Sequence, residues 1–325
     1  MPNPLFEDLN AAGLISDESL KKIREKYAGG LFSLHWELRI LLYLGVMMLC
    51  TGLGILIYKN LDSISHQVAL SAIGLLSTSC FIWCYRQGAP FSPERVAAPD
   101  PLFDYILLLG VLSFLSLLSY WQFQYEIFGT RYGLATFIPM MLLFWKAYYF
   151  DHLGILTMAI ANLAAWLGIS VSPKQVLQNG NFNSEKMIYT YLALGLFLLV
   201  IAFISRRYKF KAHFAFSYQN YGLHITFIFL LAGYFHYDYL TSLIWLLAFG
   251  ITAWISHRHA LNIRSYYFVV VGVLYSYAAL SGFLTKSLFL LGEAGVGQVL
   301  LLYYAASGIG VLAVLMHLNK KMKAP

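Results

Sequence analysis

Charged side chains are scarce in this chain, at 11% of its 325 residues, where a soluble domain carries about 25%. Set against 59% hydrophobic residues and a mean hydropathy of +0.65, that shortage excludes a water-soluble globule. Cysteine is scarce too. Cys50, Cys80 and Cys84 all lie in apolar runs and form no CxxC pair, so a disulfide framework and a thiolate metal site are not expected, and the three read as small buried side chains. HExxH, GxSxG and paired carboxylates inside apolar runs are missing, which weighs against an intramembrane hydrolase. Alternation over segments of about 10 residues, the mark of a membrane barrel, is missing as well. The first 30 residues are polar and charged, with no apolar core of a secretory signal.

What is there is a succession of apolar runs. Each is close to the roughly 20 residues that cross a hydrocarbon core as a helix. Ten spans are expected: 38–58, 68–85, 102–121, 132–150, 153–171, 187–204, 221–235, 240–256, 266–284 and 299–318. The seventh and eighth are short enough to form a re-entrant pair instead. The fold class is therefore all-α, a polytopic transmembrane helix bundle. The formal charge of +7 sits at helix ends, which favours membrane topology over nucleic acid as its meaning. Of the 22 Lys and Arg residues, 17 fall in one set of connections, and Lys59, Arg131, Lys174, Lys186 and Lys286 fall in the other. By the positive-inside rule, the first side is cytoplasmic and holds both termini.

The soluble parts are small. Residues 86–101 hold Pro90, Pro93, Pro99 and Pro101 and read as an extended, mobile cytoplasmic loop. Residues 172–186 form the longest outer loop. Residues 1–30 read as a helix-turn-helix hairpin: Gly13 is placed as a C-cap, Ser16 as the next N-cap, and Asp17 and Glu18 at the positive end of a helix. Gly29 and Gly30 then release it from the bundle of residues 31–325.

Polar groups within spans are the candidate functional residues. Lys146 lies one turn from the cytoplasmic end of its span, and Asp151 and His152 form the tight turn beyond. One reading is a proton or ion relay. The preferred one is a lysine that snorkels to the interface and pairs with Asp151. Asn162, among Ala159, Ala161, Ala164, Ala165 and Gly168, suits helix packing better than substrate binding. His224 reads as a satisfied interfacial histidine. His236 and Asp238, within an aromatic outer turn, either gate a vestibule or belong to an aromatic belt. The Gly292–Gly297 stretch follows no strand and is not a nucleotide loop. His257, Arg258 and His259 lack metal-ligand spacing.

The stretch Asp8-Leu9-Asn10-Ala11-Ala12-Gly13-Leu14-Ile15-Ser16-Asp17-Glu18 resembles the N-terminal hairpin of a bacterial family of predicted membrane proteins, domain of unknown function 2157. The first span, with Gly45, Gly52, Gly54 and then Asn60, is similar to that family's glycine-spaced first helix. The resemblance is specific from about Leu9 to Leu76. It implies a polytopic membrane protein of the bacterial inner membrane and supplies no reaction.

Two functions stand nearly level. One is a non-catalytic membrane component whose N-terminal hairpin docks a protein partner. The other is a transporter or channel for a small solute or lipid. A lipid-modifying enzyme ranks behind both, because no catalytic set can be assembled. No cofactor, metal or nucleic acid is expected, and the lipid bilayer is the first partner.

Overall fold

The computed structural model describes residues 6, 9–10, 12–28, 35–59, 65–129, 131–171, 184–291 and 296–323. Among them it contains eleven α-helices: α1 (Asp17–Ala28), α2 (His35–Lys59), α3 (His66–Gln87), α4 (Pro101–Tyr125), α5 (Tyr132–Phe150), α6 (Leu153–Val171), α7 (Glu185–Arg207), α8 (Phe214–His236), α9 (Tyr239–Asn262), α10 (Tyr266–Leu291) and α11 (Val296–Lys323). Eight of them, α3 to α7 and α9 to α11, are long and apolar enough to cross a membrane. The protein is a polytopic helical bundle; from α3 onward helices adjacent in sequence pack side by side, while α2 packs on α4.

The N-terminal caps form at the residues their chemistry favours. Gly13 adopts φ +71°, the left-handed conformation that glycine tolerates best. Its N–H donates to Asn10 O at 2.9 Å, and Leu14 N–H to Leu9 O at 3.0 Å. Ser16 Oγ accepts from Ser19 N at 3.2 Å at the start of α1. The Asn10 amide donates to Asp17 at 3.0 Å across the turn. Gly29, Gly30, Asn60 and residues 172–183 lie outside the described residues.

Helix α8 corrects the expectation of a short seventh span. It runs unbroken for 23 residues, about 34 Å at 1.5 Å per residue, and α9 for 24. Both are long enough to cross a hydrocarbon core, and α9 is apolar enough as well. The sequence made α8 look short because its first turns carry Ser217 and Gln219. Both are buried against other helices rather than exposed to lipid.

Two apolar cores flank α8. Phe214, Ala215 and Tyr218 at its start join Leu107, Leu143, Ile155 and Leu198 from α4 to α7. Leu223, Phe227, Leu230 and Tyr234 further along join Trp245, Phe249 and Phe268 from α9 and α10. Lipid tails are as apolar as leucine, so helices in a bilayer associate by close packing and by polar bonds rather than by escape from the solvent. Both are visible here. A Cβ on Gly222 would lie 3.0 Å from the Gly195 carbonyl oxygen, so α7 and α8 meet backbone to backbone. Ser77 Oγ donates to Gly110 O at 2.9 Å between α3 and α4. Tyr191 donates to Ala164 O at 2.8 Å between α7 and α6. The pairs Tyr277 with Ser307 and Ser281 with Tyr303, each at 3.0 Å, tie α10 to α11.

Candidate functional site

The connections α3–α4, α5–α6 and α7–α8 all lie at one end of the bundle. It is called the basic end here because Arg86, Arg95, Arg206, Arg207, Lys209 and Lys211 gather there. Asp151 is at its centre. It is the C-cap of α5, with φ 58° and ψ 38°, a left-handed conformation that Asp visits more readily than most residues. Its N–H donates to Ala147 O. The αL residue turns the chain so sharply that only two residues, Asp151 and His152, separate α5 from α6.

The turn delivers a fully buried carboxylate, with 0% of its side chain exposed. One oxygen, Oδ1, meets Lys211 Nζ at 3.1 Å and His213 Nε2 at 2.5 Å. The other, Oδ2, accepts from Val96 N–H at 2.5 Å. Lys211 is itself buried, with 1% of its side chain exposed, and it too sits in the left-handed region at φ 47°. Its backbone N–H donates to Pro93 O at 2.7 Å, its ammonium reaches Glu94 O at 3.4 Å, and Ser205 Oγ donates to its carbonyl at 3.1 Å. A buried ion pair in low dielectric offsets its desolvation only with the help of further hydrogen bonds, and here both carboxylate oxygens are engaged and the ammonium also reaches a backbone carbonyl. The 86–101 loop is therefore extended, as expected, but not mobile: Pro93, Glu94 and Val96 are fastened to Lys211 and Asp151. The proline-rich composition signals the absence of regular structure and carries no information about tethers supplied by distant segments.

His152 follows Asp151 and caps α6: its Nδ1 accepts from Ile155 N–H at 3.1 Å. Burial pushes the imidazole below its ordinary range, with Asp104 Oδ1 at 3.9 Å pulling weakly the other way. The neutral ring is the form that can accept at Nδ1.

Lys146 does not pair with Asp151, a correction to the preferred reading of the sequence. Asp151 is already saturated, and the Lys146 side chain is directed elsewhere. Lys146 is buried. Its ammonium donates to Tyr85 Oη at 2.9 Å and lies 4.1, 4.3 and 4.6 Å from the ring centroids of Phe81, Tyr85 and Trp145. An aromatic box stabilises it in place of bulk water.

The remaining candidates are separate from this cluster. Asn162 is half-buried on α6. His224 Nδ1 lies 2.9 Å from Tyr275 Oη and its Nε2 lies 3.3 Å from Tyr267 Oη, which in turn donates to Asn220; the chain bridges α8 and α10. His236 and Asp238 are exposed at the opposite end, where Lys286 of α10 donates to the Tyr234 and Tyr237 carbonyls, each at 3.1 Å. A cation at these carbonyls complements the negative end of α8. Gly45, Gly52 and Gly54 face open space on α2. Cys80 and Cys84 are both buried. Among the described residues, no three His, Cys, Asp or Glu side chains stand close enough to share a metal ion.

Lys211 and His213 were not singled out from the sequence, where Lys211 counted only towards topology. The available signal was the pair of them two residues apart in a connection too short to leave the bundle, at the same end as Asp151. A second polar group was missed at this end. Arg206 donates to His259 at 2.7 Å and to Gln219, joining α7, α8 and α9 beside a cavity of about 620 Å³.

Residues 7–156 match the model of a family described as "Predicted membrane protein (DUF2157)". The match takes in Lys146, Asp151 and His152 and stops before Arg206, Lys211 and His213. No curated protein and no solved structure matches the chain.

Proposed function

We propose that this protein is a non-catalytic component of the bacterial cytoplasmic membrane, with both termini on the cytoplasmic side and an N-terminal hairpin that docks a protein partner. The observation that carries the non-catalytic reading is the state of Asp151. A carboxylate with a lysine and a histidine beside it has the composition of a proton relay, but both of its oxygens are engaged in holding three connections together. It acts as a clasp. Lys146 is likewise held in place, by aromatic rings. The orientation is supported by the basic asymmetry of the connections.

The docking role is supported by the form of the hairpin. Its polar groups close on one another: Asn10 on Asp17, Ser16 on Ser19, and Lys22 on Glu18 at 3.0 Å. At the tip between its arms Leu14 is 71% exposed, an apolar side chain presented by a self-contained turn. The test is capture of partners from membranes by tagged protein, followed by mass spectrometry. The full chain and a Leu14→Glu variant should insert equally, and the variant should lose a partner that the full chain retains. Identical partner sets from the two would refute docking at this tip.

A further inference from the structure

The cavity beside Arg206 has the composition of a site for one specific molecule. It lies among α7, α8 and α9 at the basic end. Its walls are apolar, with Leu196, Leu199 and Phe203 of α7 facing Leu223 of α8 and Ile255 of α9. Phe203 and Ile255 are 69% and 56% exposed, so the cavity opens sideways, towards the space that lipid occupies around a bundle. At its polar end sit Arg206, Arg207, Gln219 and His259.

Three observations fix what it would hold. The first is charge. The segments 200–223 and 251–265 that build this end contain no Asp or Glu, and among the described residues Arg206 bonds only to neutral acceptors, His259 Nε2 and Gln219 Oε1. Its guanidinium has further N–H donors in a planar fork suited to a phosphate. The second is Ser256. It lines the cavity and is 7% exposed, and its hydroxyl has no hydrogen-bond partner. A buried hydroxyl without a partner costs on the order of 1–3 kcal/mol, a cost that an acceptor from a ligand would remove. The third is length. From Leu196 to Arg206 α7 rises about 15 Å, half of a hydrocarbon core of about 30 Å. The apolar wall therefore runs from the polar end to mid-bilayer depth, the reach of one acyl chain from one leaflet.

We propose that this cavity binds an anionic phospholipid, with its phosphate on Arg206 and Ser256 and an acyl chain along Leu199 and Phe203. A basic pocket between transmembrane helices is the usual setting for recognition of such headgroups. The site is independent of the hairpin and of any docked partner; it requires only that the bundle be in a membrane.

The experiment is native mass spectrometry and thermal unfolding of the purified full chain, with added phosphatidylglycerol, phosphatidylcholine or inorganic phosphate. Phosphatidylglycerol should be retained and should raise the melting temperature. Phosphatidylcholine and inorganic phosphate should do neither. Arg206→Gln should weaken phosphatidylglycerol retention roughly tenfold or more, the loss expected for one charge-assisted hydrogen bond. Ser256→Leu fills the cavity while leaving every charge in place, and should also abolish retention. Arg258→Gln is the control: Arg258 lies over the Trp254 ring at 4.3 Å, outside the cavity, and its loss should leave retention unchanged. Equal retention of the two lipids overturns the proposal. So does full retention by folded Arg206→Gln and Ser256→Leu. Equal stabilisation by inorganic phosphate overturns the lipid assignment by reassigning the site to the free anion.

Discussion

Arg206 and Lys211 are five residues apart at the same end of the bundle, and they occupy opposite environments. Lys211 is enclosed: a carboxylate at 3.1 Å, a backbone carbonyl and a tethered loop account for its charge and its donors. Arg206 is half-open: it rests on a histidine and a glutamine beside an apolar cavity, with no acidic residue in the segments around it. A buried cation matched by its own carboxylate acts as a fastener, because removing either partner leaves the other charge stranded in low dielectric. A cation bonded only to neutral groups leaves no such debt when removed. Its field remains directed outwards, where an anion can meet it. Burial alone therefore does not distinguish structure from recognition; the location of the counter-charge does.

The sharpest way to break this comparison is at Asp151. Asp151→Ala strands Lys211 and frees the Val96 N–H, and should cost about 3–5 kcal/mol of stability, measured by chemical unfolding in detergent. Faster tryptic cleavage at Arg95 should accompany it. Lys211→Met should cost less, about 2 kcal/mol, because Asp151 keeps His213 and the Val96 N–H. The double variant Asp151→Ala, Lys211→Met should then cost less than the sum of its parts; strict additivity would show that the clasp is not a unit.

Acid probes the same region. The His152 pKa is lowered in the folded protein, so on acidification the unfolded chain takes up its proton first, near the ordinary value of about 6.5. The unfolded state then binds more protons, and stability falls as pH drops through that range. The melting temperature should therefore decline on acidification, and less so in His152→Asn, where the amide oxygen can still cap α6. An unaltered slope in the variant would remove His152 from the account.

The open side should be quiet in the absence of lipid. Arg206→Gln should cost about 1 kcal/mol or less, since no charge is left unpaired. Ser256→Ala should stabilise the lipid-free protein by about 1 kcal/mol, because it removes a buried hydroxyl that has no partner. A large loss from either variant in lipid-free detergent would place Arg206 with the fasteners and erase the distinction.

The helices themselves were legible in the sequence because their signals are local. Apolar runs of membrane-crossing length, the Gly13 and Ser16 caps and the clustering of basic residues each depend on a few adjacent residues; each expected run lies within a helix, and eight of those helices are long and apolar enough to cross a membrane. Helix α8 was the weakest of these for a physical reason: hydropathy treats every polar residue as lipid-facing, whereas Ser217 and Gln219 face other helices. The candidate site was legible only in part. Lys146, Asp151 and His152 stood out as polar groups at the end of a span, but nothing local could identify their partners. Asp151 meets Lys211 across 60 positions of sequence, and Lys146 meets Tyr85 across 61. Those choices depend on which helix ends are neighbours and on the left-handed turns at Asp151 and Lys211 that aim the side chains. The sequence by itself determined how many helices form and which end of the bundle is basic. Only the tertiary structure decided which buried charges neutralise one another and which one, Arg206, is left facing a cavity, because that outcome depends on contacts between segments rather than on the residues within them.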